Sequence, residues 1–190
     1  MMDMGPYYVT ALVNLLGPIR RVTGSARISF PTRTITSEPK RGKVIEVETP
    51  THISGVFDFQ NGAVGQLTTS FDVYGGDFNP ITIYGSKGTL KVPDPNGFGG
   101  EIKICREGGP WEEVPLTHGF ATNDRGVGVL DMARAIRGGG DHRASGALAL
   151  HVLETMTAFL TSSETNAHYL MTTAPERPAA LADADLEGIS

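Results

Sequence analysis

Asp3 and Tyr7 stand one helical turn apart at the start of the chain, in Asp3-Met-Gly5-Pro-Tyr7. Residues at i,i+4 of a helix start project to the same side. There a carboxylate can accept a hydrogen bond from a substrate hydroxyl. A phenol can pass a proton, provided a nearby cation lowers a pKa that is ordinarily about 10. The same two residues equally fit a helix cap and a packed aromatic. A second pair, Asn123 and Arg125 in Asn123-Asp-Arg-Gly126, offers an amide and a planar donor fork suited to carboxylates or vicinal diols. The plainer reading of that pair is a solvated loop. His151 and Glu154 fall at i,i+3, too few ligands for a metal, so a structural hydrogen bond is expected of them. His52, His118 and His142 have no partner that spacing identifies, and no metal site is expected.

Other chemistries lose their sequence support. The nearest approach to a dinucleotide fingerprint is Gly126-Val-Gly128-Val-Leu-Asp131, which lacks the third glycine and a preceding strand. No P-loop, nucleophile elbow or H-E-x-x-H occurs. With 16 basic against 21 acidic residues and no basic cluster, nucleic acid is not an expected partner. The single cysteine, Cys105, excludes an intrachain disulfide and points to a cytoplasmic location. The early apolar run Val9 to Leu16 is too short to span a bilayer and is preceded by Asp3 rather than by a basic residue, so neither a membrane nor a signal peptide is expected.

The elements that must position these residues follow from periodicity. Apolar residues at helical spacing from about Pro6 to Leu16 end at Gly17-Pro18, a glycine-then-proline stop. Strand patterns run over Ile19 to Phe30, Val44 to Phe59, Ala63 to Val73, Pro80 to Tyr84, Thr89 to Val92, Glu101 to Cys105 and Trp111 to Val114. Asn61-Gly62 predicts a hairpin with a type I′ turn between two of them. Helical period returns over Gly126 to Ile136 and Ser145 to Thr161, and His168 to Thr172 closes with a strand. Alternation places Ile53, Phe57, Phe59, Leu67, Phe71, Ile81 and Ile83 on one face. His52, Ser54, Gln66, Thr68, Ser70, Thr82 and Tyr84 fall on the other, which is rich in hydroxyls and short of charge. The expected fold is α+β, an open-faced, mostly antiparallel β-sheet with helices packed on one face. No long linker interrupts it, so one domain is expected over 1–174. A loosely ordered tail follows at 175–190, where prolines, small residues and acids mix.

Taken together, Asp3-Met-Gly5-Pro-Tyr7, Gly62-Ala-Val-Gly-Gln-Leu67, Ile83-Tyr-Gly-Ser-Lys-Gly-Thr-Leu90 and Arg143-Ala-Ser-Gly-Ala-Leu-Ala-Leu-His151-Val-Leu-Glu154 resemble the C-terminal domain of the Gfo/Idh/MocA oxidoreductases (glucose-fructose oxidoreductase, inositol dehydrogenase, rhizopine catabolism). The likeness runs from Asp3 to about Thr173. It implies a substrate-binding and oligomerisation domain whose open sheet face associates with a second copy. In the full-length family, NAD or NADP serves as hydride partner for a sugar or polyol. Asp3 and Tyr7 would then be catalytic, although histidine is the commoner residue at the Tyr7 place, and Asn123 and Arg125 would bind substrate. The family's Rossmann domain and its Glu-Lys-Pro motif are absent from these 190 residues. This chain alone is therefore expected to bind no cofactor. Met1-Met2 directly before Asp3 suggests a truncated or misassigned gene product. The alternative is a stand-alone, non-enzymatic carbohydrate-binding or oligomerisation module.

Overall fold

The computed structural model describes residues 1–117, 121 and 125–181. The chain divides into two compact units. One is Met1–Tyr74 with Gly146–Arg177, and the other is Gly75–Ser145 with Pro178–Ser190.

The first unit is a four-stranded antiparallel sheet with two helices on one face, as the α+β expectation requires. Helix α1 (Gly5–Leu16) leads through Gly17-Pro18 into β1 (Ile19–Arg27), which pairs with β4 (His52–Phe59). Strand β4 pairs in turn with β5 (Val64–Ser70). The long α3 (Gly146–Thr165) returns across the sheet and delivers β10 (Tyr169–Leu170) to the outer edge of β1, so the sheet order is β10-β1-β4-β5. The core joins Val9 and Val13 of α1, Val22, Ile53, Phe57 and Phe59 of the sheet, and Val152, Met156 and Phe159 of α3, all buried. Helix α3 lies unusually close to the strands. A Cβ on Gly24 would sit 2.4 Å from the Phe159 carbonyl oxygen, and one on Gly55, its partner across the ladder, 2.7 Å from the Phe159 ring.

That approach resolves an edge problem. Strand β10 covers β1 only at Arg21 and Val22, which leaves later N–H groups of β1 facing outward with no ladder partner. The Gly24 N–H donates to Ser162 Oγ (3.0 Å) and the Ala26 N–H to Ser163 Oγ (2.9 Å). The Ser162 hydroxyl itself donates to the Ala167 carbonyl (2.6 Å). The same carbonyl turn is closed by Ala167 N–H to Ser162 O, with Asn166 at φ +53 supplying the left-handed residue that ends α3.

The Asn-Gly hairpin forms, but not with the expected turn. Phe59 N–H donates to Ala63 O and Gly62 N–H to Phe59 O. Gly62 has φ +91, whereas Asn166 alone among described non-glycine residues has positive φ. A type I′ turn needs positive φ at both central residues. The loop is instead a type I turn followed by a glycine bulge. Asn61 keeps ordinary φ because its side chain is engaged, with Nδ2 donating to the last-turn carbonyl of Leu16 (2.9 Å) and Oδ1 accepting from Ala63 N–H (3.0 Å).

Two short strands, β2 (Thr32–Thr34) and β3 (Val44–Glu46), form a separate ribbon. The expected continuous strand from Val44 to Phe59 is thus broken, at a stretch holding Pro50, which cannot donate to a ladder. The second unit carries a meander of β6 (Ile81–Gly85), β7 (Gly88–Val92), β8 (Ile102–Cys105) and β9 (Trp111–Val114), together with α2 (Val127–Gly138). Ile81, Thr82, Ile83 and Tyr84 therefore belong to this second sheet. They do not extend either face of the first, a correction to the single two-faced sheet. Phe71, expected to be buried, is 59% exposed because β5 ends at Ser70, before it.

Candidate functional site

Asp3 and Tyr7 sit at the head of α1, both exposed. Met4 occupies the cap position and no side chain caps the helix, so Asp3 is not the N-cap. Tyr7 is not a core aromatic either, being 44% exposed. Gly5 between them is buried, and a Cβ there would lie 2.9 Å from the sulfurs of both Met1 and Met156. The glycine lets the first turn of α1 settle against α3 while the flanking Asp3 and Tyr7 face outward. Pro6, in the first turn, asks for no N–H partner. No hydrogen bond joins the Asp3 carboxylate to the Tyr7 phenol.

Arg125 belongs to the second unit, exposed in the turn before α2, its guanidinium 5.4 Å from the Phe98 ring centroid. Asn123 and His118 lie outside the described residues. Asp131, in the third-glycine place of the imperfect fingerprint, pairs with the Arg143 guanidinium and accepts the Arg143 N–H (2.8 Å). Arg143 also donates to the carbonyls of Ala179 and Ala180. Among the described residues no group of three or more His, Cys, Asp or Glu side chains could hold a metal ion. No described helix is long and apolar enough to cross a membrane.

His151 and Glu154 do not bond each other directly. They meet through Thr173, just past β10. The fully buried His151 accepts the Ile19 N–H at Nε2 (3.0 Å), so its Nδ1 carries the proton and donates to Thr173 Oγ1 (2.7 Å). The Thr173 hydroxyl then donates to Glu154 Oε2. Glu154 further accepts Thr172 N–H (2.6 Å), Thr172 O–H (2.6 Å), Thr173 N–H (3.0 Å) and the Tyr169 hydroxyl (3.3 Å). Burial pushes the Glu154 carboxyl up, but the threonine donors together outweigh it and hold the pKa at about 2. Burial also lowers the His151 pKa, against the pull of Glu154. The pair fastens the chain end to α3, a structural role in which Thr172 and Thr173 carry no spacing signal of their own.

The face of the first sheet opposite the helices is open. A groove of about 410 Å³ runs over Thr23, Ser25 and Ser54, bounded by Val56, the Arg21–Asp58 ion pair and His168. His168 Nδ1 contacts the Thr23 hydroxyl, and Ser54 and Thr68 exchange a hydroxyl hydrogen bond (2.8 Å). Val56, Val64 and Leu170 are exposed on this sheet.

A family model described as the GFO/IDH/MocA C-terminal domain matches residues 1–91. No curated protein sequence matches the chain. Among solved structures, an NAD binding oxidoreductase from Klebsiella pneumoniae is similar at TM-score 0.69 and 21% identity, over 90% of this chain and 50% of its own. Levoglucosan dehydrogenase is similar at 0.69 and 18%, over 92% and 50%. The aldose-aldose oxidoreductase from Caulobacter crescentus is similar at 0.65 and 18%, over 90% and 47%. The chain thus spans about half the length of these proteins.

Proposed function

We propose that the chain, whose residues 1–91 match a family model described as the GFO/IDH/MocA C-terminal domain, is the substrate-binding and oligomerisation half of an NAD- or NADP-dependent oxidoreductase, acting on a CH–OH group of a sugar or polyol. The observation that carries this reading is the fold match of nine-tenths of the chain to one half of NAD-dependent enzymes, levoglucosan dehydrogenase bound to NADH among them. The lone Cys105 is in keeping with a cytoplasmic setting.

The described residues around α2 do not fit a dinucleotide fingerprint. The glycine-bearing start of α2 follows no described strand closer than β9, which ends at Val114, and Asp131 is committed to Arg143 where a third glycine would let helix and strand close up. In a full-length form the nicotinamide would supply the hydride acceptor or donor.

What this chain contributes is the substrate side. The Tyr7 phenol, exposed at the head of α1, takes or returns the proton of the reacting hydroxyl. Asp3 accepts a hydrogen bond from a neighbouring hydroxyl and fixes the substrate's orientation. In the second unit, Arg125 and Asn123 are the residues proposed, from the family resemblance alone, to bind substrate. In a form joined to a cofactor-binding half, Tyr7→Phe should lower kcat by about a hundredfold or more, the usual worth of general acid–base catalysis, while cofactor affinity stays unchanged. An unaltered kcat removes Tyr7 from the mechanism.

The open sheet face is the self-association surface in this reading. Its groove-lining charges, Arg21 and Asp58, pair with each other within the chain. The remaining hydroxyls and exposed valines suit an isologous partner that buries the same patch. Sedimentation equilibrium should find a dimer or larger assembly, and Val56→Arg should dissociate it. A wild-type chain that stays monomeric at high concentration overturns the assignment.

A further inference from the structure

Asn-Gly occurs twice in the chain, at Asn61-Gly62 and Asn96-Gly97, and the two copies are held very differently. We propose that Asn96 is a site of spontaneous deamidation, and that the fold protects Asn61 despite its identical neighbour. Glycine after asparagine leaves the following amide nitrogen unshielded, so sequence alone makes both sites equally reactive. The difference lies in the carboxamides.

At Asn61 both ends of the carboxamide are tied, Nδ2 to the Leu16 carbonyl and Oδ1 to the Ala63 N–H. Rotating Cγ towards the Gly62 nitrogen would break two hydrogen bonds, one of which terminates α1. Asn96 is exposed, and among the described residues its side-chain amide makes no hydrogen bond. Its backbone N–H donates to Asp94 Oδ1 (2.9 Å), and the Gly97 N–H donates to Asp94 O (2.9 Å) in a tight turn. Gly97, Gly99 and Gly100 follow it, so neighbouring side chains do little to confine the turn. The Asn96 carboxamide is therefore free to rotate onto the Gly97 nitrogen, and only one short turn hydrogen bond opposes attack.

The step balances without an enzyme. The Gly97 nitrogen loses its proton to solvent base and bonds to Asn96 Cγ. The Cγ–Nδ2 bond breaks and ammonia leaves with the proton. Water then opens the five-membered imide at either carbonyl, leaving aspartate or isoaspartate, and no redox change occurs. The product gains a carboxylate beside Asp94. The isoaspartate form also lengthens the backbone by one methylene two residues before Phe98, on which Arg125 rests.

The test is to age the intact chain in mildly alkaline buffer and follow two tryptic peptides by mass, 92–103 for Asn96 and 44–87 for Asn61, with an isoaspartyl methyltransferase assay for the rearranged product. In the native chain Asn96 should convert at least about tenfold faster than Asn61, since conversion at Asn61 must await a local opening. In concentrated urea the two rates should converge. Asn96→Gln should abolish the native isoaspartyl signal. Equal native rates, an Asn96 that converts only in urea, rates that stay apart in urea, or a signal that survives Asn96→Gln would each overturn the proposal.

Discussion

Replacing Glu154 by glutamine is expected to cost about 2–3 kcal/mol of stability at neutral pH, and to reduce the chain's loss of stability in strong acid by a similar amount. The carboxylate collects four hydrogen bonds from Thr172 and Thr173 and a longer one from Tyr169. A glutamine keeps one acceptor and turns an N–H₂ group towards donors that then have nothing to bond. The folded pKa of about 2 lies below the ordinary 4.5. The depressed carboxyl therefore contributes stability that is fully present above 4.5 and is lost as pH falls from there through about 2. The gap corresponds to roughly 3 kcal/mol, and partial solvent contact at Glu154 trims it towards 2. His151 acts earlier on the same descent. Its lowered pKa means that the unfolded chain takes up the proton first, so its contribution is present above 6.5 and begins to be lost as pH drops below that value. Urea unfolding across the acid range should show successive losses in the wild type, and in Glu154→Gln the loss below pH 4.5 should shrink while the higher one stays. An unchanged slope below pH 4.5 in the variant would show that the threonine clasp does not stabilise the chain.

That clasp marks the limit of what periodicity reveals. The i,i+3 spacing of His151 and Glu154 points to a structural hydrogen bond, and the two side chains are in fact linked through Thr173. Their partners come from Ile19 at one end of the chain and Thr172-Thr173 at the other, a juxtaposition that appears only once β10 pairs with β1. Helix α1 was legible because Gly17-Pro18 stops it unambiguously, and β9 because Trp111 to Val114 is bounded by turn residues. The ribbon of β2 and β3 was not fully legible, since three-residue strands carry too little alternation to register. Alternation likewise cannot say to which sheet a strand belongs, so Ile81 and Ile83 continued the inward pattern of Ile53 and Phe57 on paper while pairing elsewhere in the fold. The turn at Asn61 followed its tertiary partner, Leu16, rather than its dipeptide preference. At the proposed site, the exposure of Asp3 and Tyr7 follows from Gly5, whose missing side chain seats the helix between two methionine sulfurs. A glycine's packing role is invisible until its neighbours are known.

The largest single effect should come from the seam where α3 meets the sheet. Phe159 is fully buried, its ring edge-on to Phe57 with centroids 6.1 Å apart, and Phe57 is edge-on to Phe59 at 5.3 Å. Phe159→Ala removes a ring from a close-packed layer and should cost about 3–5 kcal/mol. The facing glycines make the seam specific. Gly55→Ala would set a methyl 2.7 Å from the Phe159 ring and 2.1 Å from the Thr23 carbonyl oxygen, whereas Gly24→Ala would meet the Phe159 backbone, at 2.4 Å from its carbonyl oxygen. Each should destabilise by about 1–3 kcal/mol or more, as overpacking does. The two differ in what relieves them. Truncating the Phe159 ring removes one of the two obstacles at Gly55, leaving the Thr23 carbonyl oxygen, and removes none at Gly24, where the obstacle is the Phe159 main chain. A double-mutant cycle should therefore show Gly55→Ala becoming cheaper by about 0.5–3 kcal/mol in the Phe159→Ala background, and Gly24→Ala keeping its full cost. Equal behaviour of the two glycines would mean that main-chain contacts, the Thr23 carbonyl at Gly55 and the Phe159 carbonyl at Gly24, set the spacing and the ring does not.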